Sequence, residues 1–102
     1  MPAHDDLGLA QKTSAALKQL RSNTNTSAAQ MATLTTLAHD IQVPAEPVFG
    51  RARAINDVRA SAWLAICKVA VTLKDAPGDP QLGLHWARAV DATDAWVRAL
   101  EK

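Results

Sequence analysis

Three arginines lie within nine positions in the stretch GRARAINDVRASAW, residues 50–63, beside an Asn–Asp pair and ahead of a tryptophan. Guanidinium groups bind phosphates and carboxylates through paired hydrogen bonds, so such a cluster could form an anion-binding surface. In a helix, however, Arg51 and Arg59 project toward the apolar side, whereas Arg53 points away with Asp57. The arginines therefore do not form one stripe, which disfavours a phosphate-binding surface.

Two roles remain open for Arg51 and Arg59. In the first, each arginine buries its methylene stem and keeps the guanidinium in water, or pairs with an acid of its own chain such as Glu46 or Asp40. In the second, the two arginines line a groove that binds a carboxylate or a phosphate of a partner.

Beyond residue 60 the same helix is apolar over most of its circumference, because the apolar arc includes Trp63, Leu64, Cys67, Ala70 and Val71. Such a helix is either the central helix of the fold or part of an interface, with Trp63 as its anchor. In the last helix, Trp86 and Trp96 lie at opposite margins of the apolar stripe, which predicts one in the core and one at an interface. The predicted partner-binding residues are Arg51, Arg59, Trp63, Cys67, Val71 and Trp96.

Metal, cofactor and catalytic motifs are not found in the sequence. His39 and His85 have no second histidine or carboxylate four positions away, and His4 with Asp5 and Asp6 makes only a loose cluster. There is no glycine-rich phosphate loop and no H-E-x-x-H motif. We therefore expect no metal, no cofactor and no catalytic residue.

Composition favours helices. The 102 residues are 48% apolar and 21% charged, and the apolar residues include one Phe, no Tyr and three Trp. Ala and Leu are frequent, and both are strong helix formers. The net charge of +1 disfavours general nucleic-acid binding, which usually needs a basic excess.

The single cysteine, Cys67, excludes an intramolecular disulfide, and its apolar surroundings predict an inert thiol with a raised pKa. The first residues lack the pattern of a signal peptide, and no apolar run is long enough to span a membrane. These features predict a cytoplasmic protein.

Three joints divide the chain into four helices. They are SNTNT at residues 22–26, VPAEP at residues 43–47 and DAPGDPQ at residues 75–81, all rich in turn formers, proline or both. We predict that Asp5 or Asp6 caps the first helix, that Pro47 begins the third and that Asp79 caps the fourth. The expected architecture is a single all-α domain, residues 1–102, with four mostly antiparallel helices and a long third helix. The predicted helices cover residues 6–21, 27–42, 47–74 and 80–100.

Together these features favour a non-enzymatic helical protein-binding module, such as an adaptor, a chaperone, an inhibitor or a small regulator, that also forms a homodimer. The alternative is a nucleic-acid-associated regulator that uses Arg51, Arg53, Arg59 and Lys68. A small helical enzyme is the third and weakest hypothesis.

Overall fold

The computed structural model describes residues 3–22, 27–41, 50–76 and 78–101. Within these ranges the chain forms four α-helices and no strand, which confirms the predicted all-α class. The long third helix is also confirmed, since it has 26 residues. No helix of the described ranges is long and apolar enough to cross a lipid bilayer. The helices are α1 (Ala3–Ser22), α2 (Ser27–Asp40), α3 (Gly50–Asp75) and α4 (Leu82–Glu101).

Two helix starts differ from the prediction. Helix α1 begins at Ala3, before Asp5 and Asp6, so the prediction that one of them caps it was wrong. Helix α4 begins at Leu82 rather than near residue 80. Asp79 acts as the predicted cap, because its Oδ1 accepts a hydrogen bond of 2.8 Å from the Gln81 N–H. The predicted start of the third helix at residue 47 and the predicted end of the second at residue 42 lie outside the described residues.

The long helix α3 packs most extensively against α4. Helix α2 packs on α3 and α1 packs on α4, whereas α1 and α2 meet only slightly. Helices α3 and α4 are antiparallel, since Arg51 near the start of α3 donates to the carbonyl oxygen of Ala99 near the end of α4. Helix α3 is thus contacted by two neighbours, α4 and α2.

All four helices contribute to one apolar core. The α3 contribution repeats at intervals of four, three and four residues, the spacing of a helix face. Buried threonine hydroxyls do not disrupt this core, because each donates to the carbonyl oxygen four residues earlier, as Thr93 does to Ala89 at 2.8 Å. The buried apolar residues are Ala10, Leu17, Leu20, Leu34, Leu37, Ile41, Ala62, Ile66, Val69, Leu73, Trp86, Ala89, Val90 and Trp96.

A polar contact between α1 and α4 fixes how these two helices pack. The Asp94 carboxylate on α4 accepts a hydrogen bond of 2.5 Å from Ser14 Oγ, and Lys18 Nζ lies 3.3 Å from the same oxygen. The hydrogen bond from Ser14, followed by the contacts with Lys18, lowers the pKa of Asp94 below its ordinary value. Asp94 and Arg98 are four residues apart with the acid first, which is the spacing of an ion pair within one helix. The hydrogen bond and the ion pair of Asp94 described above are nevertheless made with α1.

This contact predicts acid-sensitive stability. Because the pKa of Asp94 is lower in the folded chain than in the unfolded chain, its contribution is present above the unfolded pKa, about 4, and is lost as the pH falls through the folded value. We expect Asp94→Asn to lower the melting temperature at pH 7 and to have a much smaller effect near pH 2. Thermal unfolding across this range measures the difference, with Asp91→Asn on the exposed side of α4 as the control. An Asp94→Asn effect that is the same at every pH would contradict the assignment.

Candidate protein-binding surface

Large apolar side chains are exposed mainly on one helix. Among the described residues four are exposed: Trp63 at 37%, Leu64 at 60%, Val71 at 53% and Leu84 at 46%. Three of the four lie on α3, and Leu84 lies on α4. Scattered apolar residues are normal on a protein surface, but a contiguous group marks a candidate interaction site.

The exposed residues of α3 belong to a regular pattern. Ala60, Leu64, Cys67 and Val71 follow one another at intervals of four, three and four residues, with Trp63 beside them. We call these five residues the α3 strip. At 100° per residue its centre lies about 145° from that of the stripe formed by Ala62, Ile66, Val69 and Leu73, which packs in the core. Helix α3 therefore has two apolar faces, and the described residues cover only one of them.

A groove lies beside the strip, between α3 and the end of α2. Its volume is about 430 Å³, which is within the range of small ligand pockets. The α2 wall was missed by the sequence interpretation, because periodicity shows which way a residue faces but not which helix stands beside it. The groove is lined by Ala38, His39, Ile41, Ala60, Trp63 and Leu64.

The two arginines predicted for partner binding contact α4 of their own chain. Arg51 donates from Nη2 to the carbonyl oxygen of Ala99 at 3.4 Å, which is a long hydrogen bond to the last turn of α4. The Arg59 guanidinium carbon lies 5.6 Å from the centre of the Trp96 ring, in a cation–π contact. Both arginines therefore help to join α3 to α4.

Trp96 is fully buried, with an exposed fraction of 0%, and Trp86 is also buried. The prediction that one of them lies at an interface was therefore wrong. Helix α4 is contacted by both α1 and α3, so a wider arc of its surface is covered than a single apolar stripe predicts. Trp96 takes no part in the exposed surface, and the tryptophan that does is Trp63.

The four cations of the nucleic-acid hypothesis are not gathered on one surface. Arg51 and Arg59 contact α4, whereas Arg53 and Lys68 are exposed on the outer side of α3. Fifteen residues separate these last two, or roughly 22 Å along a helix. The described part of the chain also contains no group of three histidine, cysteine or acidic side chains that could hold a metal ion.

Cys67 lies half-buried in the middle of the α3 strip. Burial raises the pKa of its thiol above the ordinary value, because the thiolate loses solvation. The thiolate is the nucleophilic form, so the folded chain holds Cys67 in a weakly reactive state at neutral pH.

Alkylation of Cys67 tests this environment. We expect iodoacetamide to react more slowly with the folded chain than with the urea-unfolded chain at pH 7, and the folded chain to need a higher pH for half-maximal reactivity. Rates of alkylation measured against pH for both states give the comparison. Equal rates and equal midpoints would contradict burial of the thiol.

No family model, curated protein or solved structure matches the chain.

Proposed function

We propose that the chain is a non-enzymatic helical protein-binding module that binds through the α3 strip and also self-associates. It acts as an adaptor, a chaperone, an inhibitor or a small regulator. The proposal places it in the cytoplasm, where its single cysteine stays reduced.

The observation that carries the proposal is the exposure of Leu64 and Val71, at 60% and 53%, on a face of α3 that lies opposite the core. Burial of apolar surface contributes about 25 cal/mol per Å², so covering this face is favourable. The half-buried Cys67 and Ala60 lie between and beside the two exposed residues and make the strip continuous along the helix.

Trp63 is suited to be the anchor of the surface. Its ring is partly exposed at 37%, and it also lines the groove beside the end of α2. A tryptophan held by its own chain loses little conformational freedom when a partner covers it, and tryptophan is enriched among residues that dominate binding energy. A partner side chain that enters the groove would contact Trp63 and Leu64 together.

Charges at the margins of the strip orient the partner. Arg51 and Arg59, which the sequence predicts for partner binding, both contact α4. Exposed charges nearer the strip are available at Asp57, Lys68 and Lys74. Charges at the rim of an interface act mainly on the rate and the orientation of binding, and the apolar strip supplies the affinity.

Capture on immobilised protein tests the proposal, with two variants that differ only in position. Leu64→Glu adds a charge to the strip, and Leu84→Glu adds the same charge at a comparably exposed leucine on α4. We expect proteins from the native host to be retained by the wild-type chain and by Leu84→Glu but lost from Leu64→Glu. Direct binding of the recovered, purified protein then confirms the contact. The same set of proteins on all three surfaces would contradict the proposal.

A further inference from the structure

We infer that the α3 strip binds the α3 strip of a second copy of this chain, in antiparallel orientation, with Asp57 of each copy opposite Lys74 of the other. This inference rests on the proposed function, since it names the partner of the same surface. It follows from the spacing, the side-chain sizes and the charges of the exposed face of α3.

The spacing of the strip is that of a helix–helix seam. Intervals of four and three residues place Ala60, Leu64, Cys67 and Val71 in line along one side of α3. The same alternation, continued by one step in each direction, reaches Asp57 at one end and Lys74 at the other. Both residues are exposed. The apolar seam is thus flanked by an acidic residue at its N-terminal end and by a basic residue at its C-terminal end.

Opposite charges at the two ends favour antiparallel pairing. A two-fold axis that crosses α3 midway between residues 65 and 66 places Asp57 of each copy opposite Lys74 of the other. Parallel pairing in register would instead place Asp57 on Asp57 and Lys74 on Lys74, and like charges at such positions repel. Asp57 and Lys74 are therefore complementary to each other across a two-fold axis, as a symmetric dimer interface requires.

Side-chain sizes fit the same register. The axis that pairs Asp57 with Lys74 also places Ala60 opposite Val71 and Leu64 opposite Cys67. Each layer then combines a larger side chain with a smaller one, so the two helices can remain at a constant separation. Parallel pairing would stack Leu64 on Leu64 and Ala60 on Ala60, so the layers of the seam would differ more in size.

Trp63 and the groove lie at the margin of this seam. Because the second copy runs antiparallel, its residues 67–71 pass beside Ala60 and Leu64, the two strip residues that also line the groove. The half-exposed Trp63 ring then covers the edge of the apolar seam on that side, and symmetry repeats this arrangement at the other end.

Cysteine cross-linking of the full chain tests the register. In a Cys67→Ala background, Ala60→Cys in one batch of protein and Val71→Cys in another place thiols on facing positions of the proposed seam. Identical positions are eleven residues apart along the antiparallel pair, roughly 16 Å, which exceeds the reach of a disulfide. In a glutathione redox buffer we expect a disulfide-linked dimer from the mixture and none from either variant alone. Dimers that each variant forms alone, or a mixture that forms none, would overturn the register.

Charge reversal gives an independent measurement on a chain with its seam intact. Asp57→Lys should weaken self-association several-fold, because it places two like-charged pairs at the ends of the dimer, and the added Lys74→Asp should restore it. Circular dichroism controls for helix content. If the single reversal has no effect, or the double variant fails to recover, the antiparallel pairing is overturned. These outcomes are separate from the capture experiment, in which a different protein that binds wild type but not Leu64→Glu would still support the proposed function.

Discussion

Trp96→Ala is expected to lower the free energy of unfolding by about 3–5 kcal/mol, the range for removing a buried aromatic side chain. The Trp96 ring is fully buried and carries the Arg59 guanidinium on one face, so its removal leaves a cavity and also ends the cation–π contact. Urea unfolding followed by far-ultraviolet circular dichroism measures the effect without relying on tryptophan fluorescence.

The matched control is Trp63→Ala. Trp63 is 37% exposed, and its outer face contacts solvent, so the same truncation should cost the monomer clearly less than Trp96→Ala. Both measurements are made at concentrations where the chain is monomeric, because the dimer would protect Trp63. Equal losses of stability in the two variants would contradict the assignment of Trp96 to the core and Trp63 to the surface.

Leu64→Glu is expected to weaken self-association by at least about 100-fold, while it leaves the helix content of the monomer unchanged. Leu64 is 60% exposed in the single chain, so the fold does not depend on it. In a symmetric dimer each substitution appears twice, and burial of two unpaired carboxylates costs several kcal/mol. Every 1.4 kcal/mol raises the dimer dissociation constant about ten-fold.

Leu84→Glu serves as the control for this loss. It introduces the same charge at an apolar residue of α4 that is 46% exposed and lies outside the strip. We expect its dimer dissociation constant to equal that of the wild-type chain within a few-fold. A similar weakening by both variants would mean that the added charge acts through the net charge of the molecule and not through the strip.

The division into helices could be predicted from the sequence because local signals mark it. Asp79 at the start of α4 and the alternation of apolar residues along α3 do not depend on the rest of the fold. The excess apolar arc at Trp63, Leu64 and Val71 was also visible in the sequence. Its exposure could be established only once the positions of α2 and α4 around α3 were known.

The contacts between helices could not be predicted in this way. Periodicity gives the direction in which Asp94 or Arg59 points along its own helix, but the neighbour it meets depends on how the helices are arranged. Asp94 therefore contacts Ser14 and Lys18 on α1, although Arg98 is correctly spaced on α4. Arg59 and Trp96, both predicted for a partner, instead contact each other between α3 and α4.

The α2 wall of the groove could not be predicted from the sequence either. His39 lies at an edge of α2 and has no partner spacing that would mark it as functional, yet with Ala38 and Ile41 it faces Trp63 across the groove. This juxtaposition depends on how α2 packs against α3, and no pattern within either helix encodes it.

Sedimentation equilibrium of the wild-type chain tests the central claim most directly. From about 1 µM to about 1 mM, a range that covers weak and moderate dimers, we predict that the mass rises from that of one chain to that of two, whereas Leu64→Glu stays at the mass of one. A wild-type chain that remains monomeric throughout this range would contradict self-association through the α3 strip.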